Sequence, residues 1–92
     1  MSGVLRRTPD VAVVVTDETV YLGSLPAGPL IVLRGSAAII WRAAEGAGPE
    51  AVARRVAELT GLDVAAVAAD ADRFVSDLLG RGLLQLDAAE PA

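Results

Sequence analysis

Ser24 and Ser36 each follow a glycine, a setting in which a nucleophilic serine can occur, and Asp70, Asp72 and Asp77 bring three carboxylates close together. A serine nucleophile needs a base to take its proton, and in the hydrolase pattern it sits in a G-x-S-x-G turn. Neither serine lies in such a turn, and the chain contains no His. Carboxylates at i and i+2 of a helix point to different sides, so Asp70 and Asp72 cannot easily close on one cation. Without His or Cys the usual nitrogen and sulfur ligands of zinc are also missing. Gly46-Ala47-Gly48 and Gly80-Arg81-Gly82 lack the further glycines of a phosphate loop and read as helix punctuation. No catalytic residue, metal site or cofactor is expected, and the chain reads as a binding protein, not an enzyme.

What it could bind is narrowed by charge. All eight basic residues are Arg, set against twelve acidic ones, for a net charge of −4. That balance disfavours nucleic acid as a partner, and Arg54-Arg55, the basic pair inside a helical segment, reads as solvated surface. No apolar run is long enough to span a membrane, and no apolar segment follows Arg6-Arg7 as a secretion signal requires. A cytoplasmic protein without a membrane partner is expected. Ninety-two residues fit one domain, 1–92, with an ordered core of about 8–87. That core is aliphatic, so Trp41 and Phe74 should count for more than their number.

The elements that would position a binding surface follow from periodicity. The β-branched run Val11 to Thr16, the turn Asp17-Glu18 and the run Thr19 to Gly23 predict a hairpin. After the turn formers of Leu25 to Pro29, Leu30 to Arg34 predicts a third strand, apolar on both faces. Gly35-Ser36 breaks it, with Ser36 placed to cap a helix from Ala37 to about Glu45. Pro49 starts a second helix with Val52, Val56 and Leu59 on one face, ending at Thr60-Gly61. Asp63 can cap a third, in which Val64, Val67, Ala71, Phe74 and Leu78 form a core stripe flanked by Val75 and Leu79. It should close at Gly80-Arg81-Gly82, leaving Leu83 to Leu86 as a possible short strand and Ala88 to Ala92 as a frayed tail. The fold class expected is α+β, winged-helix-turn-helix-like, with a three-stranded antiparallel sheet followed by three helices.

The segment Leu33-Arg34-Gly35-Ser36-Ala37-Ala38-Ile39-Ile40-Trp41, then Gly46, then Phe74 to Leu79 and Gly82-Leu83-Leu84, resembles the PqqD-like family. The shared pattern is an apolar strand ending in Leu, a small-residue turn, an Ile-Trp pair and a closing Gly-Leu-Leu, and it covers about Val11 to Leu86. The chain departs from the pattern at Arg34, where Asn is common, at Ala37, where Gly is frequent, and in the longer stretch Leu25 to Pro29. The resemblance implies a non-catalytic domain that recognises the leader segment of a ribosomally made precursor peptide. It also implies delivery of that peptide to a modifying enzyme or leader peptidase. The Ala- and Arg-rich, Lys-free composition is most like relatives from lasso-peptide pathways.

In that family the leader adds as a strand against strand three and lies between it and the third helix. Here the corresponding strand is Leu30, Ile31, Val32, Leu33 and Arg34, with Ile31 and Leu33 expected inward and Leu30, Val32 and Arg34 outward. Val75 and Leu79 would form the far wall, small Ala68 and Ala71 would leave room beside it, and Asp72 would border it. On these expectations Val32→Glu or Val75→Glu abolishes leader binding and leaves the domain folded, as a monomer or weak dimer. Two other readings stay open: a winged-helix DNA-binding regulator, disfavoured by charge, and an accessory subunit that stabilises a partner enzyme.

Overall fold

The run Val11–Thr16 forms a strand because β-branched side chains suit the pleat, and it turns back at Asp17-Glu18. Asp17 takes a φ of 49°, a left-handed value that Asp tolerates better than most residues. In this computed structural model, which describes residues 3–88, the elements are β1 (Gly3–Arg7), β2 (Val11–Thr16), β3 (Thr19–Ser24), β4 (Leu30–Arg34), α1 (Ser36–Ala44), α2 (Pro49–Thr60), α3 (Val64–Gly80) and β5 (Leu84–Ala88). β2, β3 and β4 make an antiparallel sheet in that order, and the three helices follow, so the fold is α+β as expected. Among the described residues no helix is long and apolar enough to cross a membrane.

Register settles which way each strand faces. Val15 pairs with Val20, Val13 with Leu22, Leu22 with Ile31 and Val20 with Leu33. Val20, Leu22 and Leu33 are buried in the core, together with Trp41 of α1, Val52 and Val56 of α2, and Val67, Ala71, Val75 and Leu78 of α3. The opposite face carries Val14, Tyr21 and Val32 in one cross-strand row. The expected alternation of β4 is therefore present: Leu33 is buried and Ile31 half-buried, while Leu30, Val32 and Arg34 are exposed.

β4 passes into α1 through Gly35 alone, whose φ of 61° favours a residue without a Cβ. Gly35 is the residue before the helix, and Ser36 is its first residue with no side-chain capping bond, so the expected Ser36 cap is not formed. α2 begins on Pro49 and ends where Gly61, at φ 76°, donates its N–H to the Ala57 carbonyl at 2.8 Å. Leu59, expected on the buried face of α2, is instead exposed beside the chain turn. Asp63 precedes α3 in the capping position, but its side chain makes no capping bond.

α3 closes with paired bonds, Gly82 N–H to Leu79 O at 3.1 Å and Leu83 N–H to Leu78 O at 3.0 Å, around Gly82 at φ 75°. This is the Schellman arrangement, and both Leu78 and Leu83 are buried behind it. The chain leaves the cap as β5, so the expected C-terminal strand is present and includes Ala88; residues 89–92 of the expected tail lie outside the described residues.

The partner of β5 is β1, an unexpected strand whose residues carry no local strand pattern. They pair antiparallel, with Leu5 opposite Leu86 and Arg7 opposite Leu84. Leu5 is fully buried, donates its N–H to the Ala47 carbonyl and accepts from the Gly46 N–H, each at 2.8 Å. β1 thus ties the α1–α2 turn to the end of the chain.

Candidate functional site

β4 is an outer strand of its sheet, hydrogen-bonded to β3 on one side and, among the described residues, to no strand on the other. Alternate residues of such a strand direct their N–H and C=O groups away from the sheet, where they can pair with an added strand. Leu30 is 69% exposed and Val32 41%, so the strand also offers apolar side chains beside those backbone groups. Pro29 at one end and Arg34 at the other bracket the run without interrupting it.

Where β4 ends, a cavity of about 380 Å³ opens between α1 and α3. Ser36, Ala37 and Ile40 line it from the first turns of α1, and Asp70, Arg73, Phe74 and Asp77 line it from α3. The α3 residues follow i, i+3, i+4 and i+7 spacing, which puts them on one flank of the helix. Its apolar part is Phe74, half-buried, with Ile40 and Ala37; its rim is charged. Arg73 Nη1 lies 3.5 Å from Asp70 Oδ1, and Arg81 Nε lies 2.9 Å from Asp77 Oδ2. All four side chains are more than half exposed, so each pair contributes a few tenths of a kcal/mol at most and can rearrange around a ligand.

The residues expected to wall the groove from α3 lie outside this cavity. Of Ala68, Ala71, Asp72, Val75 and Leu79, none lines this cavity. Ala71 and Val75 are buried, at 0% and 7% exposure, while Ala68 and Leu79 are half-buried and Asp72 is exposed. Phe74, expected in the core, is half-buried and lines the cavity, while Val75, expected on the wall, is buried. Val64, placed at the head of the core stripe, is 46% exposed. The spacing of apolar residues located the stripe but not which of its flanks meets α1. The signal that would have found Phe74 is size: the first turn of α1 is small residues, Ser36, Ala37 and Ala38, and leaves room for an aromatic ring across from it.

The arrangement offers little chemistry beyond binding. Ser36 lines the cavity, but no imidazole or lysine exists in the chain to activate it. Among the described residues no group of three or more acidic side chains is placed to hold a metal ion. What remains is an open strand edge, an apolar pocket and a charged rim, the components of a peptide-binding groove.

Comparison with known proteins agrees in kind. Among curated proteins, none is similar enough in sequence to count as a relative. A solved structure described as TbiB1 in complex with the TbiA(beta) leader peptide matches with a TM-score of 0.74 and 25% identity, over 87% of this chain and 94% of that one. The family model for coenzyme PQQ synthesis protein D (PqqD) matches residues 12–84, from β2 to the start of β5. With most of its length matched, from the sheet through all three helices, the chain belongs to the PqqD family.

Proposed function

We propose that this protein recognises the leader segment of a ribosomally synthesised precursor peptide, non-catalytically, and presents it to a modifying enzyme or a leader peptidase. The leader adds as a strand along the free edge of β4. One of its apolar side chains enters the cavity formed by Ala37, Ile40 and Phe74. Main-chain hydrogen bonds supply much of the affinity, and the pocket supplies selectivity. The observation that carries this reading is the continuity of the two parts: the exposed edge of β4 leads through the single residue Gly35 into the helix that lines the cavity. The leader-bound state of the similar structure supports it.

Calorimetric titration with candidate precursor leader peptides tests the reading. Val32→Glu places a charge beside the free edge of β4, and Val14→Glu places the same charge on the same sheet face at β2. The first should lose binding and the second keep it, with both variants folded by circular dichroism. Equal affinity in the two variants would put the leader elsewhere.

A further inference from the structure

The flank of α1 turned away from the β4 cavity carries a second concavity, separate from the one assigned to the leader. It has a volume of about 510 Å³ and lies between α1 and α2, lined by Ile39, Arg42, Ala43, Arg55, Glu58 and Leu59. Leu59 is 65% exposed there, and Leu62, just past the end of α2, is 57% exposed. Large apolar side chains placed together at a surface, with arginines around them, are the usual composition of a protein-binding patch.

The chain carries −4 overall, yet this flank is lined by two arginines to one glutamate. Among the described residues Arg42 and Arg55, like Arg34 and Arg54, have no carboxylate within ion-pairing distance. Arg42 also lines an adjoining hollow with Arg6, Arg7, Glu45 and Gly46. There Arg7 Nε sits 3.4 Å from Glu45 Oε2, and Arg6 Nε sits 3.3 Å from Asp87 Oδ2. The two hollows together are lined by four arginines and two glutamates, and with Asp87 paired to Arg6 a small positive excess remains, centred on Arg42 and Arg55, in an acidic protein. Arginine gives up its hydration more readily than lysine and pairs with carboxylates in a two-pronged geometry, which suits it to a buried contact.

We propose that the α1–α2 flank docks an acidic segment of a partner protein, one that sets a large apolar side chain between Ile39 and Leu59 and its carboxylates against Arg42 and Arg55. The apolar contact anchors the segment, and the arginines select for acidic partners and speed the encounter. Because α1 faces the β4 cavity with Ser36, Ala37 and Ile40 and this hollow with Ile39, Arg42 and Ala43, both can be filled at once. The proposal does not depend on what occupies the β4 edge.

The test uses the full chain and three matched sets of labelled synthetic peptides, in which a Leu or Phe is flanked by Glu, by Gln or by Lys, with binding followed by fluorescence anisotropy. The Glu set should bind, and the Gln and Lys sets should bind about tenfold more weakly or not at all. The double variant Arg42→Glu with Arg55→Glu should weaken the Glu set about tenfold or more, and Val32→Glu should leave it unchanged. A folded double variant with unaltered affinity, a Glu set that fails to bind, or equal binding of the Lys set would overturn the proposal. Loss of Glu-set binding on Val32→Glu would overturn it too, by assigning the peptides to the β4 edge.

Discussion

β2 and β4 are the two outer strands of one sheet, and β2 is the stronger strand by its own residues. Val11–Thr16 is longer, richer in β-branched side chains and uncharged, whereas β4 ends on Arg34. Val14 is 57% exposed, more than Val32 at 41%. If an open edge and a sticky face were sufficient, β2 would be the better place for a peptide. The difference lies beside the strands. β4 runs through Gly35 into α1 and ends at a cavity walled by Phe74, and β2 does not line that cavity. An edge supplies hydrogen bonds that any extended chain can use; a second wall with a pocket makes one chain preferred over others.

The largest expected effect removes the second wall by unfolding it. Val75 is buried on the core face of α3, so Val75→Glu should cost at least about 3 kcal/mol, a large part of the stability of a domain this size, and urea titration should show it. This reverses the expectation that such a variant stays folded. Next, Val32→Glu should weaken leader binding about a hundredfold, by lost apolar contact and a charge at the edge, with Val14→Glu within about twofold of the parent.

A smaller contrast separates the two flanks of α3. Phe74→Ala should weaken leader binding about tenfold, and Leu79→Ala on the opposite flank should change it less than about threefold, both read by calorimetry. The least effect belongs to the rim: Asp77→Asn breaks the exposed pair with Arg81 and should lower stability by less than about 0.5 kcal/mol in thermal melts.

Much of this molecule is legible in its sequence, where the signal is local. β2, β3 and β4 show as β-branched or apolar runs between turn formers, and Pro49, Gly61 and Gly82 mark helix ends because their backbone geometry admits few substitutes. The alternation of β4 follows from the two-residue period alone. β1 is illegible for the opposite reason. It holds two apolar residues, Val4 and Leu5, before Arg6-Arg7, and its partner β5 lies at the other end of the chain. Its strand character comes from tertiary pairing and from the bonds of Leu5 to the α1–α2 turn, neither of which leaves a local pattern. That Phe74 lines the cavity while Val75 is buried has a similar origin. Both border the stripe of Val67, Ala71 and Leu78, and only the approach of α1 decides which flank becomes a wall.

The most direct measurement of strand addition is amide hydrogen exchange on β2 and β4, residue by residue, without and with saturating leader peptide. On binding, alternate amides of Leu30 to Arg34 should exchange at least about tenfold more slowly, as new main-chain hydrogen bonds form, while those of Val11 to Thr16 keep their rates. Saturable binding that leaves β4 unprotected, or that protects β2 in its place, would contradict recognition at the β4 edge.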